Sequence, residues 1–322
     1  MCGFLDSECN ASGATLESAP YPALEDAITL LRCLIRAAAL ACALSAAAAS
    51  AATFKWAGGK SPAKRGNTPG KQGDFLVLSA PADWIQVVYN VQNRFPGSRP
   101  WVTWAVGPLR EKAAAISDDQ RQHQAHLDAF DAHGVDVFPE IWPAKGDDVP
   151  AAIHAWLKRL GGHPSVAGFG VDLEWYGGID DATAEAWDRA VKSHDARYRL
   201  LLKHWDLAAM PKGYARKSDV ICVDMSSEID MAGLAREFAH WANELAPAAV
   251  AFQTGYPWDE GWWKDLKDPI QDLGGRILEG ITSSTQEVGI LWVTVQSALT
   301  PRWDLTRGAV VPAPRRSGDV RK

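Results

Sequence analysis

Along the middle of the chain, short apolar runs recur between glycine- and proline-bearing breaks, and most are followed by a stretch in which apolar residues return every three or four positions. The runs predict strands, and the longer period predicts helices packed by one face. The strand-like runs are 74–79, 101–106, 135–142, 166–175, 199–205, 219–225, 248–254 and 289–295, and the clearest helical segments are 111–133, 148–160, 182–196, 231–245 and 259–278. Such alternation implies parallel strands joined by right-handed crossovers. Eight units in roughly 225 residues match the α/β class and a single (β/α)8 TIM barrel over 74–299, a fold for which ~250 residues is typical. A doubly wound open sheet is the competitor. It loses ground because no Gly-x-Gly-x-x-Gly turn follows the first strand and no Gly-Lys-Ser/Thr phosphate loop occurs.

The flanks lack this pattern. Residues 53–73 are rich in glycine, lysine, proline and serine and read as a flexible lead-in, and 300–322 read as a flexible basic tail. Residues 1–52 read as an N-terminal extension and signal peptide. Arg32 and Arg36 flank an alanine-rich run at 37–49, and Ala49-Ser50-Ala51 offers a small-residue cleavage site. The apolar run falls short of the ~20 residues a bilayer needs, so no stable membrane span is expected in the mature chain. The expected location is secreted or periplasmic. The thirty or so residues before Arg32 suggest an upstream translation start. A lipid anchor at Cys42 is the weaker reading, because Ala39-Leu40-Ala41 makes a poor lipobox.

With 322 residues, 47% hydrophobic, the chain can bury a full core. A net charge of −6 and a pI near 5.8 leave no electrostatic footprint for nucleic acid. Of five cysteines, only Cys222 lies beyond the leader, in an apolar strand, which excludes an intramolecular disulfide and a cysteine-held metal there. Without a His-x-His on the first strand run, neither metal nor cofactor is expected. His123 and His126 read as a solvated helix face. Nothing in the composition signals an oligomeric state.

In a barrel the chemistry sits at the carboxyl ends of the strands. Those ends carry Glu140 and Trp142, then Asp172, Glu174 and Tyr176, then Lys203, followed by Asp224, by Gln253 and Tyr256, and by Trp292. Side chains alternate along a strand, so Asp172 and Glu174 are expected to share one face, with Cα atoms ~7 Å apart. A neighbouring negative charge raises one carboxyl of such a pair and allows a protonated acid at neutral pH. Fifteen tryptophans, many at strand ends, suit stacking against sugar rings, although core packing accounts for about half of them.

The Asp172-Leu173-Glu174 stretch resembles the last half of the Asp-x-x-Asp-x-Asp-x-Glu signature of family 18 glycoside hydrolases, the chitinase and endo-N-acetylglucosaminidase group. The two earlier acidic positions fall on Ala167 and Gly170, and the family's Ser-x-Gly-Gly is replaced by Phe138-Pro139-Glu140-Ile141-Trp142. The resemblance implies a general acid at Glu174, an Asp172 that orients a substrate 2-acetamido group, Asp224 and Tyr256 as binders of that group or of the distorted sugar, and Trp292 as a subsite floor. It implies a carbohydrate substrate and hydrolysis of an O-glycosyl bond.

Other readings stand beside it. Glu174 and a carboxylate from another strand, Asp224 or Glu140, would serve as a retaining or inverting pair according to their separation. Asp172 and Glu174 would otherwise form structural ion pairs, for example with Lys203. Lys203 would act through a Schiff base in an aldolase or lyase. A non-catalytic, lectin-like saccharide-binding barrel is the competing class.

Overall fold

The computed structural model describes residues 52–60, 80–107, 116–295 and 303–315. Within them eight strands close into a barrel in chain order, each parallel to its neighbours, and β8 pairs with β1. The strands are β1 Phe54–Lys60, β2 Arg99–Gly107, β3 Asp136–Ile141, β4 Gly168–Asp172, β5 Arg199–His204, β6 Ile221–Asp224, β7 Ala249–Thr254 and β8 Val288–Trp292. The described helices are α1 Pro81–Gln92, α2 Ile116–His133, α3 Val149–Leu160, α4 Asp181–Lys192, α5 Lys212–Ala215, α6 Met231–Leu245, α7 Glu260–Trp263 and α8 Pro269–Gly280. The chain is therefore an α/β protein with a (β/α)8 barrel.

Strands in such a barrel are buried on both faces, so each supplies two apolar sets that alternate. The inner set includes Trp56, Trp101, Phe138, Leu201, Ile221, Val223, Ala251 and Leu291. Trp101 anchors it, with rings of Trp56 and Phe138 at 5.7 and 5.8 Å and its Nε1 donating to the Ile290 carbonyl at 3.0 Å. The outer set, Val171, Leu202, Cys222, Phe252 and Ile290 among others, packs under the helices. Burial pushes the Cys222 thiol up to about 12, as expected of an inert core residue. Helices α3, α4, α6 and α8 each begin at an aspartate, Asp148, Asp180, Asp230 and Asp268, whose side chain accepts a first-turn backbone N–H.

The structure departs from the sequence reading in four places. The first strand is Phe54–Lys60, inside the stretch read as a flexible lead-in, while 74–79 lie outside the described residues. Its Gly58-Gly59 looks like loop composition, but glycine is required because a Cβ on Gly58 would stand 1.8 Å from the Trp101 carbonyl oxygen. The run 166–175 is a strand only to Asp172, after which the chain turns. The helical segment 259–278 is two helices, since Pro269 with its Asp268 cap starts a new one. In the tail, Trp303 and Leu305 are buried in the core, and the Leu305 N–H donates to the Val295 carbonyl at 2.9 Å.

Replacing Gly58 by alanine forces β1 away from β2, an overpacking that costs about 1–3 kcal/mol or more. Urea unfolding followed by tryptophan fluorescence should show a lower midpoint. An unchanged midpoint would return residues 54–60 to the lead-in.

Candidate active site

The inner parity that carries Trp56, Phe138 and Leu201 continues to the carboxyl ends of the same strands, where it reaches Lys60 on β1, Glu140 on β3, Asp172 on β4 and Lys203 on β5. Four charged side chains thus close the top of an apolar barrel. Glu140 is fully buried between two lysines, with Oε1 paired to Lys60 and Oε2 2.9 Å from Lys203 Nζ. Lys203 Nζ lies 3.6 Å from Asp172 Oδ2, and Asp172 Oδ1 accepts the Glu174 backbone N–H at 3.0 Å. Gly170 makes this possible, since a Cβ there would already sit 3.3 Å from the Glu140 side chain.

Burial by itself would raise the Glu140 carboxyl, but the charges of Lys203 and Lys60 and their hydrogen bonds outweigh it and hold the group at about 2. Burial lowers Lys60 to about 8, helped by the like charge of Lys203 and opposed by Glu140 and Asp172. Burial works against Lys203 as well, yet Glu140 and Asp172 more than offset it and raise the ammonium above its ordinary value.

Above this layer opens a cleft of about 850 Å³. Lys60, Glu140, Asp172, Glu174, Ser226, Ser227, Glu237 and Gln253 contribute its polar lining. Trp142, Trp175, Trp205, Tyr256 and Trp258 contribute its aromatic walls. Trp175, Trp205 and Trp258 are 61%, 47% and 51% exposed, against complete burial of the barrel tryptophans Trp101 and Trp292, so indole faces are presented to solvent. Two of them are held in place from behind. Trp258 stacks on Tyr256 at 4.7 Å and Trp205 on His204 at 4.4 Å. The Tyr256 hydroxyl accepts from Gln253 Nε2 at 2.6 Å and donates to the Met225 carbonyl at 3.3 Å. His204 Nδ1 accepts the Asp206 N–H at 2.8 Å, and burial keeps this imidazole below its usual pKa.

The predicted residues divide into groups. Asp172, Glu174, Glu140, Trp142, Gln253 and Tyr256 meet in the cleft. Glu174 reaches it from a turn: the strand stops at Asp172, and Tyr176 and Gly177 hydrogen-bond back to the Leu173 carbonyl. Lys203 lies beneath the cleft as the partner of Glu140, a pairing the sequence reading did not anticipate, and within 3.6 Å of Asp172, the contact that its ion-pair alternative named. Tyr176 turns away and packs on Trp187 of α4 at 5.2 Å. Asp224 and Trp292 share the parity of Cys222 and Ile290 and belong to the outer face. Trp292 is fully buried among Trp262, Trp263 and Trp303 and is no subsite floor. Asp224 is also fully buried, and lost solvation pushes its carboxyl up to about 8 although the Ser226 N–H bonds it at 2.8 Å.

Lys60 escaped the sequence reading because β1 did, and Trp175, Trp205 and Trp258 could be found only as aromatics beside strand ends. His123 and His126 are buried, not solvated. His123 Nδ1 accepts from Trp104 Nε1 at 2.7 Å, and the His126 ring lies 4.7 Å from that indole. Among the described residues, the acids and histidines grouped closely enough to ligate a cation are Asp128, Asp131 and His163. They sit toward the amino end of β4, away from the cleft, and His163 Nδ1 already bonds Asp131 at 2.6 Å.

No protein-family model and no curated protein matches this chain. Solved structures similar to it include a protein of Bacteroides thetaiotaomicron described as a “putative alpha-L-fucosidase”, with a TM-score of 0.48 and 12% identity over 78% of this chain and 90% of that one. Diaminopimelate decarboxylase of Helicobacter pylori, complexed with L-lysine, aligns with a TM-score of 0.37 and 10% identity over 66% and 61%. A zinc-bound amidohydrolase of Burkholderia ambifaria aligns at 0.33 and 15% over 71% and 62%. At these scores the likenesses assign neither a family nor a reaction to this chain.

Two measurements check the electrostatics. Glu140→Gln leaves two lysines facing each other without their carboxylate, and urea unfolding should show a loss of roughly 3–5 kcal/mol. For Asp224, a carboxyl raised from 3.8 to about 8, stability is fully present below the unfolded value and is lost as pH rises through the window from about 4 to about 8. Asp224→Asn should therefore flatten the fall in melting temperature across that window, and an unaltered profile would show that Asp224 does not carry it.

Proposed function

We propose that this protein hydrolyses a glycosidic bond in an oligo- or polysaccharide, with Glu174 as general acid and Asp172 as the neighbour that orients the reacting sugar. The observation that carries the reading is the cleft itself: two carboxylates at the carboxyl end of β4, ringed by three solvent-facing tryptophans and Tyr256. Indole faces stack on the apolar faces of sugar rings, and a carboxyl beside them is placed to protonate a bridging oxygen.

The buried layer narrows the mechanism. Of the carboxylates weighed as a second catalytic group, Glu140 has both oxygens committed to lysines and Asp224 lies on the outer face with its carboxyl raised to about 8, so neither is suited to the role; Glu237, which also lines the cleft, accepts from Trp241 Nε1 on its own helix at 3.1 Å. That supports a substrate bearing a 2-acetamido group. Its carbonyl oxygen attacks the anomeric carbon as the C–O bond breaks and Glu174 gives its proton to the leaving oxygen. Water then opens the cyclic intermediate while Glu174 takes the proton back. Asp172, tethered through one oxygen to the Glu174 N–H and facing Lys203 with the other, is the rigid partner against which the acetamido group is aligned. A Schiff base on Lys203 is poorly served, since that ammonium is fully buried and raised in pKa by its two carboxylates. Export through the N-terminal signal belongs to the same reading.

Mass spectrometry of products from N-acetylated and non-acetylated oligosaccharides tests it. Wild-type protein should cleave, Glu174→Gln should lose about 10²–10⁴-fold in rate while still binding, and Trp205→Ala should weaken binding by about 1 kcal/mol, roughly five- to tenfold. Cleavage of acetylated sugars alone would support substrate assistance. Binding without cleavage by either protein would make the barrel a lectin.

A further inference from the structure

Lys60 takes no part in the mechanism above, yet it lines the cleft, whereas Lys203 on the far side of Glu140 does not. It is the last residue of β1, on the inner face, with a small exposed surface of 9% where Lys203 has none. An ammonium carries three N–H donors. Among the described residues its acceptor is Glu140 Oε1, the other Glu140 oxygen being held by Lys203 at 2.9 Å. Glu140 thus cancels the charge of Lys60 and fixes where its nitrogen stands. What remains is a neutralised donor at the floor of a cleft that also presents Asp172 and Glu174. The field over that floor disfavours an anion, so the fitting partner is a neutral oxygen.

We propose that Lys60 is a sugar-binding residue of the active site, donating a hydrogen bond to a hydroxyl or amide carbonyl of the sugar unit bound over Asp172, with Glu140 as the residue that positions it. The assignment rests on the saccharide-cleaving reading and adds to it a contact from β1, the strand farthest in sequence from the Asp172–Glu174 turn among those that reach the floor from its amino side. The groups facing Lys60 are Glu140, Lys203 and Asp172. With its pKa at about 8, Lys60 is mainly a charged donor at neutral pH and loses that proton as pH passes 8, where its amine also becomes open to acylation.

The test uses the full-length wild-type chain, so it does not depend on a variant that folds. Trace acetylation at pH 8, read by peptide mass spectrometry, is run alone and with the tetramer of N-acetylglucosamine or the tetramer of glucose, each titrated in parallel by calorimetry. Protection of Lys60 by a sugar that calorimetry shows to bind is the expected result, with the distant, exposed Lys158 as an internal control labelled equally in both samples. Equal labelling of Lys60 with bound sugar overturns its role while leaving the glycosidase reading intact. Absence of binding and of cleavage with both sugars overturns both. In kinetics, Lys60→Met should raise KM about tenfold, the loss expected for one charge-assisted hydrogen bond, and Lys60→Arg should restore much of it. A purely structural Lys60 would instead lower melting temperature without moving KM.

Discussion

A carboxylate without access to water, placed on the axis of a hydrophobic barrel, must find compensating charge within a few ångströms or remain protonated. Glu140 finds two. Lys60 from β1 and Lys203 from β5 take one oxygen each, and Lys203 passes the arrangement on to Asp172. The three ionic contacts join four strands at one level of the barrel, so the position of each charged group depends on the others. If Glu140 were neutral, two buried ammonium groups would face each other with Asp172 as the remaining carboxylate of the layer.

This layer also separates the protein into a packed part and a working part. Below it, Trp101, Phe138 and their neighbours fill the barrel with close aromatic contacts. Above it, strands give way to turns, and tryptophans that would be expensive to expose singly stand together around an open cleft. Two of the three exposed indoles are backed by something rigid: Trp205 by His204, which is held by the Asp206 N–H, and Trp258 by Tyr256, which is held by Gln253. Aromatic surfaces held in this way are set before any ligand arrives, which lowers the ordering cost of binding.

Much of the site was legible because strand ends can be found from apolar runs, and a barrel gathers all its strand ends on one rim. That logic located Glu140, Trp142, Asp172, Glu174, Gln253 and Tyr256. It failed for Asp224 and Trp292 for a definite reason. Both faces of a barrel strand are buried, so both alternating sets are apolar, and the chain alone does not say which parity points inward. Cys222 and Val223 are equally hydrophobic neighbours, yet one packs beneath helices and the other fills the barrel. Lys60 was missed for the opposite reason. The glycines of β1 carry the composition of a loop, although they are there to let the Trp101 backbone come close.

By itself the sequence determined the fold class and the order of the strands from β2 onward, since periodicity records which residues must leave water within one strand or helix. It also determined the Asp-x-Glu stretch at the carboxyl end of β4 and the excess of tryptophan. What only the tertiary structure decided is which charges neutralise one another. Lys60, Glu140, Asp172 and Lys203 are spread over more than a hundred residues, and no local pattern links them. Closure of β8 onto β1 brings them to one layer, and the low polarity there makes their pairing obligatory.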